Sequence, residues 1–169
     1  MNLIESSYMF DMILFELQDA VGRDNVSTRA SDKEAYSIDY FWVPEMWHDR
    51  QANFNVTRPM ADFIVHPGCA QEVSKVLKIA NNYKIPVTTW GGGSGSQGGA
   101  LPVFGGITLD TKRMNRIYKI DEDSMTVEVG TGIIHQTLEW ELEARGLSTM
   151  HDPASSRCAT VGGFIAHRG

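Results

Sequence analysis

Apolar residues recur at helical spacing near the start of the chain. There Met9, Phe10, Ile13, Leu14 and Leu17 predict an amphipathic helix that ends near Gly22. Ser31, with Glu34 three residues later, reads as a capping box that opens a short second helix. An aromatic cluster comes next: Tyr36, Tyr40, Phe41, Trp42 and Trp47 form either a loop folded over the core or the wall of a channel or subunit contact. After Pro59 the pattern changes to alternating strand and helix. Phe63, Ile64 and Val65 make a short apolar strand, Val73, Val76, Leu77 and Ala80 mark one helix face, and residues 86–90 read as the next strand. This order predicts a parallel pair, and the residues after Trp90 lie at its carboxyl end, where ligands favour binding. Residues 107–110 predict another strand. Residues 116–120 and 125–129 flank the turn Asp121-Glu122-Asp123-Ser124 as a hairpin, with Met125, Val127 and Val129 alternating with Thr126 and Glu128. Ile134, Leu138 and Leu142 then lie on one helix face, with Gly146 placed to end that helix. The expected fold is α+β, α/β-like in its centre, with no internal repeat or linker.

Glycine is concentrated just after Trp90, in Gly91-Gly92-Gly93-Ser94-Gly95-Ser96-Gln97-Gly98-Gly99 and again at Gly105-Gly106. Such a stretch loses backbone entropy on ordering and adds little packing. A flexible linker is the bland reading of that composition, but the run is short and lies between strand-like and apolar segments. The chemical alternative is close approach of peptide N–H groups to a ligand. Successive N–H groups in a nest can hold a pyrophosphate without lysine, each bond to a charged acceptor contributing about 1.5–3 kcal/mol. Neither Lys nor Arg occurs between Lys84 and Lys112, so this is the phosphate chemistry the segment offers. Residues 93–98 match the G-x-G-x-x-G spelling of a dinucleotide loop. The helix which that motif must open is contradicted by Pro102 between the two glycine groups. A P-loop would need Lys at Gly99, and no loop serine has the flanking glycines of a hydrolase elbow.

Charge adds a constraint. With 15 basic and 21 acidic residues in 169, the net charge is near −6, which argues against nucleic acid or an anionic membrane as main partner. Any bound phosphate must therefore be held by something other than bulk charge. Cys69 and Cys158 have no metal or redox spacing and read as reduced, partly buried thiols. His66, His135, His151 and His167 lack the spacing of a metal site, so no metal is expected; His48 reads as surface. His151 makes either a structural hydrogen bond or a contact beside a ligand, and Asp152-Pro153 opens a turn. Glu5 and Asp11 interrupt the apolar N-terminus, no signal peptide or bilayer-spanning run is read, and a cytoplasmic location is the expectation. Asn25-Val26-Ser27 and Asn55-Val56-Thr57 match glycosylation acceptors by spelling only.

Three stretches together resemble a known family. They are Ile85 through Gly95 with Gly98-Gly99-Ala100; Gly106-Ile107-Thr108-Leu109-Asp110 with Arg113-Met114-Asn115-Arg116-Ile117; and His151-Asp152-Pro153-Ala154-Ser155-Ser156 with Ala159-Thr160-Val161-Gly162-Gly163. The pattern is similar to the vanillyl-alcohol oxidase / p-cresol methylhydroxylase flavoprotein superfamily, most of all to its glycolate/D-lactate dehydrogenase and alkyl-dihydroxyacetone-phosphate synthase branch. The resemblance implies an FAD-binding domain over 59–169, incomplete at its C-terminal side, preceded by N-terminal helices and the aromatic loop over 1–58. It implies that Gly91, Gly92, Gly93, Ser94, Gly95, Ser96 and Gln97 wrap the FAD pyrophosphate. Pro153, Ala154, Ser155, Ser156, Ala159 and Thr160 would run along the flavin and ribityl chain, with Ser155, Ser156 and Thr160 as hydroxyl partners. Gly162 and Gly163 would allow close backbone approach, and His167 and Arg168 would continue the contact. Some branches attach flavin through a histidine where Gly93 stands, so non-covalent FAD is expected here. Relatives continue past the equivalent of Gly169 with their base and substrate clamp. The expectation is thus the front part of an FAD-linked oxidase or dehydrogenase acting on a hydroxy acid or alcohol. A synthase-type reaction, a non-catalytic or split-enzyme subunit completed by a partner chain, and an unrelated nucleotide-binding domain with a helix from Ala100 stay open as alternatives.

Overall fold

The computed structural model describes residues 7–40 and 59–168. Phe41, Trp42, Trp47, His48 and Asn55 lie outside the described residues. The first helix, α1 (Ser7–Val21), buries Ile13, Leu17, Ala20 and Val21 and stops at Gly22, whose φ of 90° suits glycine. A two-residue strand β1 (Val26–Ser27) and a short helix α2 (Ala30–Ala35) come next. The Ser31–Glu34 capping box does not form. The N-cap lies two residues earlier, at Arg29, and the Ser31 hydroxyl is turned to Asp32 at 3.3 Å. Asp32 instead accepts from the Ser27 hydroxyl at 2.5 Å and the Arg29 guanidinium at 2.8 Å, which ties the loop before α2 to its first turn.

Strand β2 (Phe63–Val65), helix α3 (Ala70–Tyr83), strand β3 (Val87–Trp90) and strand β4 (Ile107–Asp110) make the centre. The sheet order is β1-β2-β4-β3, with β2, β4 and β3 mutually parallel and β1 antiparallel at the edge. The expected β2 and β3 strands are parallel, but β4 inserts between them, a long-range pairing that local pattern does not encode. Phe63, Val65, Ile107 and Leu109 point to one face, where they meet the buried residues of α1 and Val76 and Ala80 of α3. Leu77, expected on the buried face of α3, is 46% exposed, because the helix turns Val76 and Ala80 to the core, with Val73 and Ile79 packed beside them. Alternation sends Ile64, Thr108 and Asp110 to the other face, where they too are buried.

A hairpin of β5 (Ile117–Asp121) and β6 (Thr126–Val129) packs with helix α4 (His135–Glu143) around Ile133, Leu138 and Leu142. Met125, expected as the first strand residue, belongs to the turn: its φ is 51° and its side chain is exposed. Ile134 caps α4 rather than lying within it, and Gly146, at φ 71°, closes its end. The last helix, α5 (Val161–His167), is not expected from a segment that carries Gly162 and Gly163. No described helix is long and apolar enough to cross a membrane.

Candidate functional site

Trp90 and Asp110 are register partners at the carboxyl ends of β3 and β4, so the glycine run leaves the sheet where the strands end. The Trp90 carbonyl accepts the Thr111 N–H at 3.0 Å, which fixes this edge. From Gly91 the chain runs as loop through Gly99, turns at 101–105 and enters β4. No helix starts near Ala100, which removes the unrelated dinucleotide-binding alternative.

The second motif folds against this loop. Residues 153–159 form a compact turn in which the Ser156 N–H donates to Pro153 at 2.8 Å and the Ala159 N–H to Ser155 at 2.7 Å. Thr160 pairs with Ile134 in an isolated antiparallel bridge and caps α5, its hydroxyl accepting the Gly163 N–H at 3.2 Å. Gly162 donates to the Thr131 carbonyl at 2.8 Å. Each contact explains a glycine. A Cβ on Gly91 would strike the Thr160 hydroxyl, one on Gly92 the Cys158 carbonyl, and one on Gly162 the Thr131 side chain. Gly93 has φ 63° and lies against the Trp90 ring.

Between the two motifs lies a cavity of about 550 Å³, within the range of small-molecule and cofactor sites. Gly91 through Gln97 all line it, as do Pro153, Ser155, Ala159, Thr160, Gly162, Gly163 and His167. Ala154, Ser156 and Arg168 lie off its wall. The Ser156 hydroxyl donates to Gln136 at 3.3 Å, and Arg168 is the exposed C-cap of α5. The wall also includes Thr89, Trp90, Thr111, Thr131 and Phe164, which sequence reasoning missed. For Thr131 a signal existed in Gly130-Thr131-Gly132, where a Cβ at Gly132 would collide with the Thr111 carbonyl. Phe164 packs against His151, with ring centroids 4.6 Å apart and planes tilted by 54°, and His151 itself is not on the wall. Behind it, Glu139 is buried, which disfavours its charge. The Thr149 hydroxyl and N–H, the Ser148 hydroxyl and nearby His135 outweigh that burial and hold its pKa below the ordinary value.

The wall suits an anion. Among the described residues that line it, His167 is the one titratable side chain, and no carboxylate opposes a phosphate. No backbone N–H from Gly91 to Gly99 donates to another described residue, which leaves these donors available to a ligand. Gly95 adds an independent sign. A Cβ there would meet nothing within 4 Å, so protein packing does not require glycine, and the open space beside it leaves room for close approach of a bound group. The residues present thus fit a nucleotide pyrophosphate. Cys69 is half-buried and Cys158 exposed, and both are free.

Comparison with known proteins agrees. The family described as "FAD binding domain" matches residues 61–169. The chain is 35% identical over 106 residues to the glycolate oxidase subunit GlcD of Bacillus subtilis, covering 63% of this chain and 23% of that protein. It is 34% identical over 119 residues to a D-lactate dehydrogenase of Anaerostipes hadrus, covering 70% and 24%. It thus spans about a quarter of the length of these curated relatives. Among solved structures, alkyldihydroxyacetonephosphate synthase superposes with TM-score 0.79 at 25% identity, over 92% of this chain and 31% of that one. A substrate-bound p-cresol methylhydroxylase does so with TM-score 0.79 at 25% identity, over 97% and 30%. A glycine loop at the sheet's carboxyl edge, interlocked with a second small-residue motif, belongs in this company: the chain is a member of the FAD binding domain family, with the p-cresol-methylhydroxylase-type fold and FAD as its cofactor.

Proposed function

We propose that the cavity holds FAD non-covalently as part of a cytoplasmic, FAD-linked oxidase or dehydrogenase that oxidises a hydroxy acid or alcohol. The free N–H row from Gly91 to Gly99 carries this reading. In it, Gly91 through Gln97 bind the pyrophosphate, Ser155 and Thr160 offer hydroxyls to the ribityl side, and His167 closes the far end. Ala154, Ser156 and Arg168 support that wall from behind. When bound, the flavin supplies the two-electron acceptor; the chain's own residues bind it, orient it and exclude water. The names of the relatives, glycolate oxidase and D-lactate dehydrogenase, support a hydroxy-acid substrate.

Titration of the purified chain with FAD, read by flavin absorption and fluorescence, tests the binding. Saturable one-to-one binding is expected, with ADP-ribose competing and riboflavin not, because the loop recognises the pyrophosphate. A folded chain that leaves the FAD signal unchanged sinks the reading. The alternative reading for turnover is the split enzyme, in which another polypeptide supplies the substrate clamp and base. The FAD-loaded chain would then bind cofactor without reducing a dye on glycolate or D-lactate, and turnover by the chain alone would exclude it.

A further inference from the structure

Asp110 is a fully buried carboxylate at the end of β4, and it does not line the cavity. Its Oδ1 accepts the Lys112 N–H at 2.8 Å. Its Oδ2 is met by the Tyr36 hydroxyl, by Lys112 Nζ at 3.1 Å and by His66 Nδ1 at 3.6 Å. Burial opposes its charge, yet the donors from His66, Tyr36 and Lys112 hold its pKa below the ordinary value. Burying such a group gains little stability over an apolar substitute, so what the cluster supplies is fixed geometry.

That geometry leads to the glycine loop. Held by its hydroxyl, the Tyr36 ring stands edge-on to Trp90, centroids 4.9 Å apart and planes at 66°. Lys112 Nζ lies over the same ring at 5.5 Å from its centroid. The Trp90 ring in turn fills the space beside Gly93, where the chain takes its left-handed turn. A rotation of Trp90 would release that turn and splay the N–H groups on either side of it. Tyr36 also lies upstream of the family match at 61–169, so the cofactor loop is braced from outside the matched segment.

We propose that Asp110 and Tyr36 are positioning residues for the FAD pyrophosphate, acting through Trp90 on the row of N–H groups around Gly93. The proposal rests on the reading that the cavity holds FAD. FAD titrations of the full chain, of Tyr36→Phe and of Asp110→Asn test it, with affinity corrected to the folded fraction from circular dichroism. Each variant is expected to bind FAD about tenfold more weakly, the scale of a lost bond to a charged group. Each is also expected to shift the visible circular dichroism of the flavin at saturation, which a loss of global stability alone would not do. In a Trp90→Phe background the further effect of Tyr36→Phe should fall below about twofold, since the connecting ring is gone. Native affinity and an unchanged flavin spectrum in folded Tyr36→Phe would overturn the positioning role and leave FAD binding intact, whether or not Asp110→Asn folds. Failure of the unaltered, folded chain to bind FAD would overturn both.

Discussion

Gly92 and Gly95 are three residues apart in one loop and are glycine for opposite reasons. At Gly92 a Cβ would run into the Cys158 carbonyl, a backbone atom that can move only if the two motifs separate. Gly92→Ala should therefore destabilise the fold by about 1–3 kcal/mol, the usual cost of overpacking. In a chain of this size each kcal/mol lowers Tm by about 2–4 °C. At Gly95 a Cβ would enter open space on the cavity wall. Gly95→Ala should leave Tm unchanged and weaken FAD binding about tenfold, by holding the pyrophosphate away from the N–H row. Thermal melts with and without FAD separate the two. Native affinity in Gly95→Ala would mean that the pyrophosphate does not approach that residue. Thr160 joins both effects, since its buried hydroxyl caps α5 while its side chain occupies the space that Gly91 leaves.

Strand β4 and helix α4 each carry a buried carboxylate whose folded-state pKa lies below its ordinary value, 3.8 for Asp110 and 4.5 for Glu139. For a depressed pKa the folded chain binds fewer protons than the unfolded chain in the acid range, so stability rises with pH there. The contribution is complete above about pH 5 and is lost as pH falls through the folded-state values. Urea unfolding between about pH 2.5 and 6 should show this slope, and Glu139→Gln should flatten it. An equally steep slope in the variant would remove Glu139 from the account. The same elements show what the sequence could and could not disclose. β2 is legible as a short apolar run, β3 and β4 as short strand-like segments between proline and glycine breakers, and α1 by its periodicity. The insertion of β4 between β2 and β3 is not, because strand order depends on contacts far apart in the chain. α5 is hidden by Gly162 and Gly163 in its first turn. In the site, the glycines announce a backbone-lined cradle, but their collisions with Cys158, Thr160 and Thr131 could be found only in three dimensions. The network of Tyr36, Trp90 and Asp110 leaves no local pattern at all.

At the scale of the molecule, the family match begins at residue 61, yet the hydrophobic core does not begin there. Ile13, Leu17, Ala20 and Val21 of α1 are buried with Phe63, Val65, Ile107 and Leu109 of the sheet and Val76 and Ala80 of α3. Phe10 stacks on Phe63 at 4.6 Å, and the Tyr83 hydroxyl donates to Glu16 at 2.6 Å. Burying one large aliphatic side chain contributes about 1.5–3 kcal/mol. Losing three or four of them removes a sum comparable with the ~5–15 kcal/mol net stability of a typical domain. β1, the antiparallel edge partner of β2, would be lost as well, leaving that edge unpaired. A polypeptide of residues 61–169 alone should therefore keep much of its far-UV circular dichroism while losing its near-UV signal, bind a hydrophobic dye and melt without a sharp transition. It should also fail to bind FAD, since Tyr36 is gone and the sheet face that α1 covers is left bare. A cooperative melt of 61–169 within a few degrees of the full chain would show that the N-terminal segment is an addition to the domain rather than part of its core.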